Sequence, residues 1–143
     1  VGHPDAKFVI AGGNPTPEVK ALAEVQGVIV TGRVADVRPY IAKAVCVVAP
    51  LRIARGIQNK VLEAMSLNKS VVSISMTMEG INAPNSDTVH IHDDASDFAQ
   101  ACNQYLTEQK IQENGNRAWI LEQFTWQQTL QTLQHLIELE VSK

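Results

Sequence analysis

Four residues near the middle of the chain have the types and spacing of an anion- and hydroxyl-binding set: Gly56, Asn59, Lys60 and Glu63. Their separations put them on one side of a helix start. Free backbone N–H groups at such a start, with the positive end of the helix dipole, suit a phosphate. Gly56 lets the backbone come close to it, and Lys60 adds a cation. Glu63, two turns in, can accept hydrogen bonds from two vicinal hydroxyls, as on a ribose. The chemistry is recognition of a nucleotide diphosphate. An ordinary strand-loop-helix with a solvated polar face carries the same residues, so spacing alone leaves both readings open. The loop has neither the G-x-G-x-x-G nor the Walker pattern, so no motif of those kinds supports a nicotinamide or ATP site.

The elements that must position these residues follow from periodicity. Val45 to Ala49 is a short continuous apolar run, the pattern of a strand covered on both faces. Pro50 and Gly56 bracket a loop. From Ile57 the period changes, and Ile57, Val61 and Met65 form a helical apolar stripe. In an open parallel sheet, the crevice beyond the strand ends is where ligands bind. Upstream, Lys7 to Ala11 reads as a strand. Thr16, Pro17 and Glu18 read as the cap and first turn of a helix reaching about Val25. Gly27 to Gly32 is a second strand, and Asp36 reads as the cap of a helix from Val37 to Lys43 rather than a ligand contact. Alternation of this kind implies right-handed crossovers and a parallel sheet. Downstream, Lys69 to Ser75 and Thr88 to His92 read as strands, with Met76 to Ile81 a loop. Ser96 to Thr107 is an amphipathic helix with Phe98, Ala101, Cys102 and Tyr105 inward. Further helices run from about Gln109 to Gln123 and onward from the cap Thr125, the last carrying Leu130, Leu133, Leu136, Ile137 and Val141.

Composition narrows the class. The chain has 143 residues, 45% apolar and 19% charged, which suits one globular domain with a real core. A net charge of −3 argues against a nucleic-acid surface. No apolar run reaches the roughly 20 residues that span a bilayer, and no signal peptide is visible. The opening residues look like a loop before a strand, as if cut from something longer. Cys46 and Cys102, without C-x-x-C spacing, read as reduced core thiols of a cytosolic protein. His90 and His92 share one strand face ahead of Asp93-Asp94. An acidic helix start explains those aspartates better than a metal site does. Trp119 and Trp126 read as packing residues.

Pro50 to Met65, with Val71-Val72, resembles the donor-binding signature of glycosyl transferases group 1, retaining enzymes of the GT-B fold: P-S-x-x-E-G-F-G-x-x-x-L-E-A-M-A-x-G-x-P-V-V. The chain supplies Pro50 (one residue further from the glycine), Gly56, the block Leu62-Glu63-Ala64-Met65, and Val71-Val72. Gly32 to Asp36 with Tyr40 to Ala44, Phe8 to Gly12, and Phe124-Thr125-Trp126 resemble further segments of that family. A subset, often acting on bacterial surface and exopolysaccharides, has G-x-x-N-K-x-L-E-A-M, as here with Gly56, Asn59 and Lys60. Two departures stand out. The family usually has a first glutamate that contacts the transferred sugar, and Arg55 occupies that position, so the resemblance does not fix the donor sugar. Arg can pair with phosphate in a bidentate way. Asn68 and Ser70 replace a glycine and a proline.

The resemblance implies an α/β fold, a Rossmann-like parallel sheet with helices on both faces. It corresponds to the C-terminal half of a GT-B enzyme with the first strand-helix unit missing, and residues 1–143 form one donor-binding domain. Lys60 and Arg55 would serve the diphosphate and carry the catalytic charge stabilisation. Glu63 would hold the ribose and Val34 the base. Gly56, Ile57 and Asn59 complete the donor-binding set, with Asp36, Glu79 and Gly80 of second rank. No metal or other cofactor is implied. Partners would be a nucleotide sugar and, through a missing N-terminal domain, an acceptor glycan or lipid-linked saccharide, with no nucleic acid. Localisation would be cytoplasmic, with peripheral association at the inner face of the membrane for the whole enzyme. The competing readings are another nucleotide-sugar enzyme, such as an epimerase, and a non-catalytic Rossmann-like module. The chain shows neither a clear acid/base pair nor a receiver's acidic cluster.

Overall fold

A computed structural model describes residues 2–53, 56–83, 85–108 and 115–141; within the last helix it describes the side chains of 126–128, 130, 131, 133, 134, 137 and 138. The order is β1 (Phe8–Ala11), α1 (Pro17–Ala21) with a 3-10 turn (Leu22–Glu24), β2 (Val28–Gly32), α2 (Arg38–Lys43), β3 (Cys46–Ala49), α3 (Asn59–Ser66), β4 (Ser70–Ser73), α4 (Ser75–Met78), β5 (Val89–Ile91), α5 (Ala95–Glu108), α6 (Asn116–Gln123) and α7 (Trp126–Val141). The local signals account for several boundaries. Thr16 Oγ1 accepts a hydrogen bond from the Val19 amide, with Pro17 at the first helical position. Thr125 Oγ1 accepts from the Gln128 amide and starts α7. The Gln109 to Gln123 segment is helical only from Asn116 among the described residues.

All strand pairings between named strands are parallel, as alternation requires. They form two hydrogen-bonded sheets, β1–β2 and β3–β4–β5, rather than one. Strand β4 is central in the larger sheet and every one of its residues is buried. It has a hydrogen-bonding neighbour on each side and helices over both faces. Strand β3 is covered on both faces as expected, with Val47 and Ala49 packed on one and Val45, Cys46 and Val48 on the other. β3 is a margin of its sheet, and only Ala49 in it is fully buried.

Period-two alternation divides the core into two layers. On one face Ala49, Val71 and Val89 pack with Val61, Ala64 and Met65 of α3, and Trp119, Ile120 and Phe124 close that side. Ile41 of α2 and Val37 before it join the same cluster. On the other face Cys46, Val48 and Val72 pack under Phe98, Ala101, Cys102 and Tyr105 of α5. The four inward residues expected of α5 are thus the ones that face the sheet.

Three expectations change. Ile57 precedes α3, which starts at Asn59, and is 52% exposed, so it contributes nothing to the apolar stripe of Val61 and Met65. Ser75, expected to end a strand, and residues 76–78, expected to be loop, form α4. Trp126 is 81% exposed and packs no core, whereas Trp119 lies against Phe124 with ring centroids 5.6 Å apart. The α7 stripe of Leu130, Leu133 and Ile137 is also exposed; the side chains of Leu136 and Val141 lie outside those described. Among the described residues, no helix is long and apolar enough to cross a membrane.

A buried amide fastens α6 to the sheet. Asn116 Nδ2 donates to the Lys69 carbonyl at 2.8 Å, and Asn116 Oδ1 accepts from Thr88 Oγ1 at 2.9 Å. Lys69 itself donates from Nζ to the Ala44 carbonyl at 3.0 Å. Asn116→Ala leaves the buried Lys69 carbonyl without that donor, and should cost about 2 kcal/mol. Urea denaturation should show a lower midpoint at unchanged slope. A loss below about 0.5 kcal/mol would contradict this account.

Candidate functional site

The site is built where β3 ends and α3 begins. Ala49 is buried, and its carbonyl accepts from Thr77 Oγ1 at 3.1 Å and from Ser73 Oγ at 3.3 Å. Thr77 Oγ1 also lies 3.4 Å from the Leu51 carbonyl. Helix α4 therefore holds the outgoing strand and the first residues of the loop. Helix α4 is held in turn by Asp93, whose carboxylate accepts from the Ser75 amide at 2.9 Å and from the Ser75 hydroxyl at 2.7 Å. Asp94, by contrast, caps α5 by accepting from the amides of Ser96 and Asp97. The two adjacent aspartates thus start two different helices.

At the other end of the loop, Gly56 takes a left-handed φ of +66°, a conformation glycine adopts without strain. Its carbonyl accepts from Gln58 Nε2 at 3.2 Å. The backbone of Gly80 lies directly against this turn. A Cβ at Gly80 would sit 2.6 Å from the Gly56 carbonyl carbon, 2.7 Å from its oxygen and 2.9 Å from the Ile57 nitrogen. Glu79 is exposed beside it. Gly80 therefore packs its backbone against the loop, with no room for a side chain.

Helix α3 has no side-chain cap at its start. Asn59 and Lys60 are exposed in its first turn, and among the described residues no hydrogen bond or ion pair holds either side chain. Glu63 is half-buried one turn further on. Arg38 at the start of α2 feels the attraction of Glu63 as well as that of Asp36, and both hold its proton more firmly. Val34 is half-buried in the loop after β2. Asp36 is a cap in substance, shifted by one residue. Its carboxylate accepts from the Arg38 amide at 2.9 Å and grips the Arg38 guanidinium at 2.9 and 3.1 Å. These bonds lower the Asp36 pKa.

Of the expected site residues, the structure gathers Gly56, Ile57, Asn59, Lys60 and Glu63 on one loop and helix start, with Gly80 packed against the loop and Glu79 next to it in the chain. Val34 and Asp36 belong to the neighbouring loop. Arg55 lies outside the described residues. Arg38, Thr77 and Ser73 were not singled out from sequence, and Asp93 was read only together with Asp94 as an acidic helix start. Arg38 had a local signal, an arginine two residues beyond an aspartate. The others act over 18 to 28 residues of chain and carry none. His90 and His92 lie with ring centroids 5.9 Å apart, and His90 meets the edge of Tyr105 at 5.2 Å. Among the described residues no three His, Cys, Asp or Glu side chains gather as a metal-ligand set.

Two outcomes test the scaffold. Gly80→Ala should cost about 1–3 kcal/mol by overpacking and move the amide resonances of Gly56 and Ile57. Gly115→Ala, where a Cβ meets open space, is the control; equal effects would refute the packing role. The second is a pH dependence. The Ser75 hydroxyl and amide hold the Asp93 carboxyl below its ordinary pKa. A depressed native pKa stabilises the fold at pH above about 4, and that contribution is lost as the pH falls through the lowered native value. The stability gap between wild type and Asp93→Ala should therefore close on acidification, and a gap independent of pH would contradict it.

Comparison with known proteins bears on this geometry. No curated protein and no solved structure matched the chain. The family model described as glycosyl transferases group 1 matches residues 2–108, which takes in β1 to β5, the loop after Ala49 and all of α5. On that match, over most of its length, the chain belongs to the glycosyl transferases group 1 family.

Proposed function

We propose that this chain is the donor-binding domain of a retaining glycosyltransferase, which moves a sugar from a nucleotide-diphosphate sugar to an acceptor hydroxyl. The observation that carries this reading is the convergence of a glycine turn, an uncapped helix start with an exposed Lys60, and a half-buried carboxylate, Glu63, on the same helix. In this reading the amides at the start of α3 and the Lys60 ammonium meet the diphosphate. Glu63 accepts from the ribose hydroxyls, and Val34 offers an apolar edge to the base. Gly56 and Ile57 present backbone to the phosphates, and Asn59 lies beside them. Arg55, by its place in the sequence, adds a second cation. Asp36 stays with Arg38 as a helix start. Glu79 is a second-rank contact.

The chemical task is to stabilise charge that develops on the leaving diphosphate. Preorganised N–H groups and cations do this without reorganising during the reaction, so the proposed mechanism calls for no resident metal. The acceptor, a glycan or lipid-linked saccharide of the bacterial surface-polysaccharide kind, would be held by a further domain. We expect the chain alone to bind donor without transferring it. Among the described strands, the unpaired margins of β1 and β3 are consistent with a further strand-helix unit. The order β2–β1 and β3–β4–β5 is what a common doubly wound sheet leaves when its first strand is removed.

Amide chemical shifts should be followed during titration with UDP, GDP, ADP and their sugar conjugates. Saturable shifts are expected around Val34 and from Gly56 to Glu63, with one base preferred. Glu63→Ala should weaken binding about tenfold or more, the loss of hydrogen bonds to a charged acceptor. Lys60→Ala should weaken the diphosphates and leave nucleoside binding unchanged. Silence with every nucleotide, repeated on a longer polypeptide that adds the further strand-helix unit, would overturn the reading.

A further inference from the structure

Arg33 and Arg38 stand on either side of Asp36 in the chain, and no other acid lies between β2 and β3. Asp36 takes Arg38, with contacts to its Nε at 2.9 and 3.1 Å and an ion pair at 2.9 Å. Arg33 is exposed, and among the described residues no hydrogen bond or ion pair holds its guanidinium. Its side chain is nonetheless placed. Strands β1 and β2 are parallel, so the turn Gly12-Gly13 and Arg33 both lie beyond the carboxyl ends of the strands. The Gly12 amide donates to the Gly32 carbonyl at 3.2 Å and joins the two loops. Gly32 takes a left-handed φ of +67°, open to glycine without strain. The Arg33 side chain that follows runs along Gly13, with its Cβ 3.8 Å and its Nε 3.5 Å from where a Gly13 Cβ would stand.

We propose that Arg33 reads the base of the donor nucleotide and that the base is guanine. This rests on the donor-binding reading, in which the next residue, Val34, offers an apolar edge to the base. The crevice beyond the carboxyl ends of a parallel sheet is where such a ligand lies. A base seated against Val34 brings one of its edges to Arg33. A guanidinium only donates, and it does so through a rigid planar fork suited to two acceptors side by side. Guanine presents that pair in O6 and N7. Adenine sets a donating amino group beside its N7, which meets the fork donor to donor. Uracil offers O4 as the single acceptor on the corresponding edge.

Two cations then have separable tasks. Lys60 is a point charge in the first turn of α3, where the diphosphate is placed. Arg33 belongs to the loop after β2 and lies on the turn after β1, away from that helix start in the chain. Losing Lys60 weakens every nucleoside diphosphate alike. Losing Arg33 removes the difference between one base and another. Arg33→Lys keeps the charge and loses the fork, so it separates reading of a base from simple attraction of an anion.

The test is a calorimetric titration of the 143-residue chain with GDP, ADP, UDP and 7-deaza-GDP, in which N7 is replaced by carbon. GDP should bind about tenfold or more tighter than ADP or UDP, the discrimination of one bidentate pair. 7-Deaza-GDP should bind about fivefold more weakly than GDP, the loss of one of the two bonds. Arg33→Ala and Arg33→Lys should each bring GDP, ADP and UDP to within about twofold of one another, with amide spectra that match wild type away from the turn after β1 and the loop after β2. Saturable binding with no preference for GDP, an equal loss for all three in Arg33→Ala, or an Arg33→Lys chain that keeps the preference would each overturn the inference and leave the donor-binding reading standing. Silence with every nucleotide, here and on the longer polypeptide, would overturn both.

Discussion

The carbonyl of Ala49 lies at the end of a strand, is buried, and must find donors there or cost the fold the price of an unmade hydrogen bond. It finds them in Ser73, at the end of the adjacent strand, and Thr77, one turn into α4. That requirement sets much of the neighbourhood. It fixes α4 against β3. It brings the segment after α4 back beneath the loop, where Gly80 meets Gly56 with no room for a side chain between them. The direction in which the loop delivers Asn59, Lys60 and Glu63 is therefore set by a hydroxyl and a missing methyl group, neither of which belongs to the residues that would meet a ligand.

Electrostatics then divides labour among the acids. Asp36 and Asp93 are each occupied by a helix start, through Arg38 and Ser75. Glu63 is different. It sits in the middle of α3, two residues before the buried Met65, with no helix terminus to serve. A half-buried carboxylate with no capping duty is a group whose hydrogen-bonding capacity is left for something else, and this distinguishes it from the other acids around the loop.

What could be read from sequence was local. Thr16, Thr125 and Asp36 each bond an amide two or three residues away, so the types and order of neighbouring residues were enough. The parallel α/β architecture was legible because strand and helix alternate. The start of α3 was misplaced because Ile57 fits the apolar period while lying outside the helix. Ser75 with Asp93, Thr77 with Ala49 and Gly80 with Gly56 were illegible for one reason. Each pair is made by the crossing of elements far apart in the chain, and neither partner's own surroundings announce the other. Trp119 and Trp126 make the same point, since both lie in helical segments with apolar neighbours and only packing against the core separates the half-buried ring from the exposed one.

The two-sheet arrangement has a consequence for how the molecule behaves among its neighbours. Strands β1 and β3 are each paired on one side only among the described strands, and β1 keeps Phe8 and Val9 partly in solvent. Sheet margins are normally blunted by charge, proline or a bulge. Here the register of β1 shifts only at its end, between Ile10 and Ala11, and its nearest charge is Lys7, just outside the strand. An extended apolar segment with spare N–H and C=O groups is a template for other extended segments. As concentration rises, the polypeptide in this form becomes sticky through its backbone rather than its side chains, and the remedy is a strand laid along that margin, not a more polar surface.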